Sequence, residues 1–135
     1  MKYITNTIQV PTSKRNQMVN VSTKVKTLLK QSQIKTGKII LFVPHTTAAI
    51  TINENADSDV KSDILNGLNK TFPNHMNYQH FEGNSDAHIK SSIIGVEQVI
   101  LVEHNTMLLG TWQGIYFMEF DGPRDRKLIV RLEGE

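Results

Sequence analysis

The sequence predicts an α+β fold with largely antiparallel, mixed sheets and about three helices, and two observations support this prediction. Segments that read as strands outnumber segments with helical spacing by about seven to three. The last third of the chain reads as consecutive strands, whereas a parallel doubly wound sheet needs strands and helices in regular alternation. Because 135 residues suffice for one core and are few for two, residues 1–135 are predicted to form a single domain.

The first part of the chain is predicted to contain two strands, a helix and a third strand. Residues 3–10 carry apolar side chains at alternate positions, and residues 16–21 can return as a second strand. Ser22 is a plausible cap for a helix that Gly37 brings to an end. Residues 39–43 are apolar at every position, which is typical of a central strand buried on both faces.

The remaining elements follow in mixed order. A strand at residues 48–52 precedes a helix that Asp57 or Ser58 caps. Residues 71–85 are polar and irregular, and long loops of this kind in small domains are often functional. The chain then shows a short helix at 86–94, with Ile89 and Ile93 facing inward and a stop at Gly95. Strands follow at 97–103, at 107–120 with a break near Gly114, and at 127–132, with a hairpin turn at Asp121-Gly122 between the last two.

Composition and charge exclude several classes of protein. Without cysteine there is no disulfide framework, thiolate metal site or cysteine nucleophile, so any metal must be held by histidine and carboxylate. The net charge is only +2 and the basic residues form no run, so a nucleic-acid partner is not indicated. The longest apolar stretch, residues 39–43, is far shorter than the roughly 20 residues of a membrane helix. We therefore expect a cytoplasmic protein without a membrane or nucleic-acid partner.

Three blocks of polar residues are candidates for a functional site, and the first spans residues 44–57. It begins where the apolar strand ends, and polar groups at such an edge are held by a rigid element while facing a crevice. An ordinary turn between strands, with Thr and Asn side chains satisfying the local backbone, fits the same residues.

The second block, residues 80–90, combines histidines with a helix start. Ser85 or Asp86 can cap this helix, whose first amide groups then attract an anion such as phosphate. A catalytic zinc ion needs three protein ligands and an open position, and the candidate ligands are His45, His80 and His88. Two unrelated surface histidines fit the spacing of His80 and His88 as well. The other two histidines, His75 and His104, are assigned to the surface.

The third block, residues 109–124, contains the only tryptophan, flanked by Gly110 and Gly114. These glycines allow close approach of the backbone to a ligand or another subunit. Glu119 lies in an otherwise apolar strand, where a carboxylate must be paired, bind a metal or stay protonated unless it faces outward. Arg124 can bind phosphate with two hydrogen bonds or lie in solvent.

These blocks contain the runs HTTAAITINENAD, HFEGNSDAHIKSSIIG and LGTWQGIYFMEFDGPR, which resemble the three signatures of the YjbQ family. The resemblance covers essentially the whole chain. It implies a single-domain α+β protein that forms homotrimers. Some members of the family show thiamine-phosphate synthase activity as a secondary function, so the resemblance implies a transferase that joins a hydroxymethylpyrimidine diphosphate to a thiazole phosphate and releases pyrophosphate.

The resemblance also implies which residues form the pocket. Carried over position by position, they are His45, Asn53, His80, Glu82, Asp86, His88, Glu119 and Arg124. We predict that the catalytic residues are Glu82, Asp86 and Glu119. The predicted substrate-binding residues are Thr46, Asn53, Asn84, Ser85, Lys90 and Arg124. The predicted ligands of a divalent metal, zinc or magnesium, are His45, His80 and His88.

Two other functions fit the same residues. A zinc-dependent hydrolase would use the three histidines to activate water, with Glu82 or Glu119 as the general base. In the second alternative, the protein is a trimeric ligand-binding or regulatory module that catalyses no reaction. Because the sequence lacks a glycine-rich phosphate loop, a weak or incidental synthase activity fits it better than an efficient one.

Overall fold

The computed structural model describes all 135 residues and confirms the predicted α+β class, with three helices and eight strands that pair only in antiparallel fashion. The strands are β1 Lys2–Pro11, β2 Gln17–Asn20, β3 Gly37–Phe42, β4 Ala48–Glu54, β5 Glu97–Glu103, β6 Thr106–Met107, β7 Gln113–Glu119 and β8 Asp125–Gly134. The helices are α1 Ser22–Ser32, α2 Ser58–Thr71 and α3 Ser85–Ile94. None of the helices is long and apolar enough to cross a membrane.

The strands form two sheets. The outer sheet has five strands in the order β1-β8-β3-β5-β6, and the middle sheet has three in the order β2-β7-β4. In the outer sheet, Ile39 of β3 lies opposite Leu132 of β8 on one side and Ile100 of β5 on the other. Because the register places these three inward-facing side chains side by side, the sheet presents one continuous apolar face.

The middle sheet separates two hydrophobic cores. Successive side chains of a strand point to opposite faces, and β7 is buried at every position except Gln113. Ile115 and Phe117 therefore pack into the larger core, between the two sheets and α1, whereas Tyr116 and Met118 pack into the smaller core beneath α2 and α3. Burial of one such side chain stabilises the fold by about 1.5–3 kcal/mol, so these four side chains anchor β7 in both cores.

The predicted hairpin at Asp121-Gly122 is wrong, because β7 and β8 belong to different sheets. The chain crosses here from the middle sheet to the outer sheet. Gly122 is needed at this crossing, since a Cβ atom there would collide with the carbonyl oxygen of Lys14. The segment 107–120 is divided as predicted, but the break lies at residues 108–112, between β6 and β7, and Gly114 lies within β7.

Two elements present a different face from the one predicted. In β3, Ile39 and Leu41 are buried, but Phe42 remains 42% exposed on the outward face of the sheet. In α3, Ile93 is 58% exposed, whereas the fully buried Lys90 faces inward. A helix that buries a lysine needs a polar partner for it, and this partner belongs to the site described next.

Candidate functional site

A cleft of about 520 Å³ lies between the end of β3 and helix α3, and it brings together the first and second blocks of polar residues. We call it the histidine cleft. Its wall includes His45 and Thr46 from the loop after β3 and His88 from the first turns of α3. The other lining residues are Ser91, Ser92, Gly95 and Val96.

His45 is held in one tautomer. The backbone N–H of Lys127 donates a hydrogen bond of 3.0 Å to His45 Nε2, so this nitrogen carries no proton and the neutral ring has its proton on Nδ1. Burial lowers the pKa of the His45 imidazole, and the nearby positive charge of Arg126 lowers it further. His45 is therefore a neutral hydrogen-bond donor through Nδ1 at neutral pH.

The hydroxyl groups of the two serines in the cleft donate their hydrogen bonds to backbone carbonyls of the protein. Ser91 Oγ donates to the carbonyl of Ala48 at 2.6 Å, which ties α3 to the middle sheet. Ser92 Oγ donates to the carbonyl of His88 at 2.8 Å, one helical turn back. The side-chain donors left for a ligand are consequently the Nδ1 of His45, the hydroxyl of Thr46 and the imidazole of His88.

Glu119 is fully buried and paired with Arg126, directly behind the histidine cleft. The guanidinium Nε of Arg126 donates to Glu119 Oε1 at 2.9 Å, and its Nη2 donates to Glu119 and to the Thr47 hydroxyl. Glu119 also accepts from the Thr12 hydroxyl and from the N–H of Asp121. Burial alone would raise the pKa of Glu119, but the hydrogen bonds from Arg126, Thr12 and the backbone outweigh it and lower this pKa.

Asp86 and Lys90 form a second buried ion pair, one turn apart on the inner face of α3. Lys90 Nζ donates to Asp86 Oδ2 at 2.9 Å and to Asn69 Oδ1 of α2 at 2.6 Å. Asn74 and Arg15 donate to the other carboxylate oxygen of Asp86. Burial alone would raise the pKa of Asp86, but the hydrogen bonds from Asn74 and Lys90 outweigh it and lower this pKa. This pair therefore fastens α3 to α2 and to the long loop before it.

Asp121 links the two buried pairs. Its carboxylate accepts from Asn84 Nδ2 at 3.0 Å and from Arg124 Nη2 at 2.9 Å, and its N–H donates to Glu119. Arg15 approaches the Asp121 carboxylate at 3.9 Å. A continuous polar network thus runs from Glu119 through Asp121 to the start of α3, the helix that carries His88.

The loop before α3 places His80 next to His88, with ring centroids 5.9 Å apart, and His80 Nε2 lies 3.4 Å from Glu82 Oε2. Both His80 and Glu82 are exposed. Within one chain, however, no three His, Asp or Glu side chains are close enough together to hold a metal ion. Coordination by His45 would also require removal of its Nδ1 proton or loss of the Lys127 hydrogen bond, so the three histidines fit a zinc site poorly in this arrangement.

The remaining predicted residues lie outside the histidine cleft. Asn53 is exposed on β4, where its Oδ1 accepts from the N–H of Glu54. Ser85 begins α3, and Asn84 precedes it with its Oδ1 buried and without a hydrogen-bond partner. Arg124 is half exposed and paired with Asp121. Lys90 and Arg124, the cations predicted to bind phosphate, are therefore both engaged in ion pairs within the protein.

Sequence reasoning missed Arg126, which organises the back of the cleft. The alternating pattern of β8 contains a sign of this role, because Arg126 lies on the same inward face as Leu128, Val130 and Leu132. A charged side chain on the buried face of a strand requires a partner, and Glu119 on the neighbouring apolar strand has the same requirement. Arg15 and Asp121 were missed as well, because only the fold brings them to the start of α3.

Comparison with known proteins agrees with the fold and the blocks. The family described as "UPF0047 protein YjbQ-like" matches residues 6–135. A UPF0047 protein of Methanocaldococcus jannaschii is 50% identical over 127 residues, which cover 94% of this chain and 92% of that protein. The UPF0047 protein YugU of Bacillus subtilis is 46% identical over 129 residues, or 95% of this chain and 98% of that protein.

Solved structures agree as well. The crystal structure of an uncharacterised YjbQ/UPF0047 protein from Clostridium acetobutylicum superposes with a TM-score of 0.93 at 50% identity, covering 95% of this chain and 99% of that one. A YbjQ-like protein of unknown function from Sulfolobus solfataricus superposes with a TM-score of 0.96 at 32% identity, covering 99% of both chains.

Proposed function

This chain belongs to the UPF0047 family of YjbQ-like proteins, and on that premise we propose that it is a cytoplasmic transferase acting on small phosphorylated substrates in the histidine cleft. The observation that carries the proposal is the meeting of His45 and His88 on one cleft. They come from different blocks and different elements; the Lys127 N–H holds His45, and a polar network fastens the helix that carries His88. Such preorganised donors suit a reaction in which negative charge develops on a leaving group.

The proposed reaction is of the thiamine-phosphate synthase type. The thiazole nitrogen forms a bond to the methylene carbon of the pyrimidine diphosphate, the carbon–oxygen bond breaks, and its electron pair leaves with pyrophosphate. In this proposal, the Nδ1–H of His45, the Thr46 hydroxyl and the His88 imidazole donate hydrogen bonds to the departing diphosphate; the support is that all three residues line the cleft. The cleft also shields the reacting carbon from part of the solvent.

The ion pairs of the site favour a weak or secondary activity. Arg126, Lys90 and Arg124 are each paired with a carboxylate, so no unpaired cation among them is left to neutralise the diphosphate. We therefore propose a reaction that relies on the protein's own hydrogen-bond donors. Whether a divalent ion increases the rate is tested in the assay described below. The zinc-dependent hydrolase has less support, because His45 Nε2 is already occupied by the Lys127 N–H.

A ligand-binding module without turnover is the second candidate. It is favoured by the serines of the cleft, whose hydroxyl protons are bound to backbone carbonyls rather than to a base. Neither serine of the cleft is thus activated as a nucleophile in the manner of a serine hydrolase. In this alternative the cleft binds the thiazole phosphate or a similar anion and releases it unchanged.

Assay of thiamine phosphate formation with the His88→Ala variant tests the proposal. We expect the rate to fall by at least about 10²-fold, since loss of a positioned acid–base or hydrogen-bonding group typically costs this much. His75→Ala is the matched control, because His75 is exposed and does not line the cleft. Each protein is assayed with magnesium, with zinc and with a chelator. Product formation at the wild-type rate in His88→Ala would exclude the cleft as the site of the reaction. If the wild type binds substrate but forms no product, the ligand-binding module without turnover is favoured.

We also propose that the protein assembles as a homotrimer through the outward face of the outer sheet. Phe42, Val99 and Leu101 are between 42% and 61% exposed there. They lie on the paired strands β3 and β5, where Ile40 stands opposite Val99. Apolar side chains grouped on a sheet face are typical of surfaces that another protein covers.

A further inference from the structure

The charges of this chain are unevenly distributed along the sequence. Residues 1–53 contain eight lysines and arginines and no aspartate or glutamate, so all thirteen acidic residues follow from Glu54 onward. The small net charge of +2 therefore conceals a strongly basic first part and an acidic remainder. The basic residues form no run in the sequence, but the fold gathers several of them.

Four lysines from three parts of the chain line two adjoining clefts beside α1. The first cleft, of about 570 Å³, is lined by Lys2, Lys30 and Lys35 together with Gln33 and Asn105, and no apolar residue lines it. The second cleft, of about 350 Å³, shares Lys30 and Asn105 with the first and adds Lys26. Its remaining lining residues are Leu29, Thr106, Met107 and Leu109. We call the pair the lysine clefts; none of their residues lines the histidine cleft.

These lysines are exposed and have no carboxylate partner. None of the eight ion pairs of the chain includes Lys2, Lys26, Lys30 or Lys35. Lys2 is oriented by a hydrogen bond of 2.8 Å from its Nζ to the carbonyl of Ser32. Like charges gathered without counter-charges repel one another, so their grouping destabilises the free protein unless an anion neutralises it.

The clefts are also held in a defined shape. Asn105 Nδ2 donates to the carbonyls of Ile34 and Leu29 at 2.6 and 3.2 Å, which fastens the β5–β6 turn to the end of α1. Lys35 accepts a further hydrogen bond from the N–H of Asn105 through its carbonyl, at 3.1 Å. The backbone beneath the lysines is thus fixed, while the ammonium groups of Lys26, Lys30 and Lys35 stay free to contact a ligand.

We propose that the lysine clefts bind a compact, multiply phosphorylated small molecule. Several ammonium groups around one small cleft match the closely spaced charges of a polyphosphate. A single-stranded nucleic acid is less well matched, because no aromatic side chain lines either cleft to stack on a base. Leu29, Met107 and Leu109 offer an apolar surface next to the lysines, where an organic group attached to the phosphates can rest.

Isothermal titration calorimetry with inorganic tripolyphosphate and with ATP tests this proposal on the full chain. We expect tripolyphosphate to bind the wild type, and its affinity to fall with added salt. The Lys30→Gln/Lys35→Gln variant is expected to bind at least about tenfold more weakly, since each lost charge-assisted hydrogen bond typically contributes more than a factor of ten. Lys24→Gln is the matched control: Lys24 is exposed on the same helix but lines neither cleft.

Each outcome bears on the proposal. ATP binding as tight as tripolyphosphate identifies the phosphate tail of a nucleotide as the ligand, whereas weaker ATP binding identifies free polyphosphate. The proposal is overturned if tripolyphosphate does not bind the wild type, or if Lys24→Gln weakens binding as much as the double variant. Tighter binding of a mixed-sequence oligonucleotide than of tripolyphosphate would overturn it too. Thermal unfolding of each variant establishes that the substitutions leave the fold intact.

Discussion

Glu119 and Arg126 illustrate how one buried pair supports a site without contacting a ligand. The Arg126 guanidinium binds Glu119 and the Thr47 hydroxyl, next to the loop that carries His45. The residue after Arg126, Lys127, donates its N–H to His45. Glu119 therefore acts through Arg126 and β8 on the orientation of His45. Its predicted catalytic role stays a prediction, and the contacts favour a positioning role.

Replacement of Glu119 by Gln leaves the buried Arg126 charge without its counter-charge. We expect the free energy of unfolding at pH 7 to fall by about 3–5 kcal/mol, measured by urea denaturation, because an uncompensated buried charge is costly. Glu97→Gln is the control, since Glu97 is exposed on β5. The double variant Glu119→Leu/Arg126→Met should recover much of the loss, because it removes both charges.

The Glu119–Arg126 pair determines how the stability of the protein changes with pH. The pKa of Glu119 is lowered in the folded protein, so its contribution is fully present above the ordinary carboxyl pKa and is lost as the pH falls through the folded value. The difference between the wild type and Glu119→Gln should therefore shrink in acid, below about pH 4. A difference that is absent at pH 7, or that grows in acid, would contradict this account of the pair.

Among the elements, those with a clear period were predicted well from the sequence. Strands β1, β5 and β8 show alternating burial that their sequences predict, and Asp57 caps α2 as expected, its carboxylate accepting from the N–H of Asp59. Gly95 ends α3 with a φ of 97°, a conformation that favours glycine. These features depend on local chemistry, which a single sequence contains.

The sheet to which a strand belongs was not predictable in the same way. An Asp-Gly pair is typical of a tight hairpin, yet here it lies where the chain changes sheets. Turn residues describe only the local path, whereas the pairing of β8 with β1 and β3 is decided by apolar side chains far away in the sequence. For the same reason the buried face of α3 was misjudged, because the partners of Lys90 lie on other elements.

The sequence predicted several residues of the candidate site, but it did not predict which side chains pair with one another. The blocks identified His45 and His88, which the fold brings to one cleft. The blocks did not reveal that three predicted site residues each have an ionic partner within the chain, namely Lys90, Arg124 and Glu119. Pairing depends on which side chains meet in three dimensions, and the sequence carries that information only where a charged residue interrupts an apolar period, as Arg126 does.

For the molecule as a whole, the exposed apolar face of the outer sheet predicts assembly. Leu101→Glu places a charge among Val99 and Phe42, and burial of that charge in an interface would be costly. We expect the wild type to elute as a trimer in size-exclusion chromatography with light scattering, and the variant to elute as a monomer. Thr23→Glu on α1 is the control, since α1 packs against the opposite face of the sheet. A monomeric wild type, or a trimeric Leu101→Glu protein, would contradict the proposed interface.

The histidine cleft at the end of β3 and the lysine clefts beside α1 are separate, and we propose that each of these two places binds phosphorylated compounds. The histidine cleft is central to the proposed function, because its donors come from two blocks that nothing in local structure requires to meet. Ligand binding there should be separable from binding at the lysine clefts by substitution of Lys30 and Lys35.

The most direct measurement is a titration of the Lys30→Gln/Lys35→Gln protein with pyrophosphate, followed through the imidazole carbon and proton resonances of its five histidines. The account predicts saturable shifts of the His45 and His88 resonances, with the exposed His75 unchanged. Unchanged His45 and His88 resonances, or equal shifts of all five histidines, would contradict the assignment of the histidine cleft as the site.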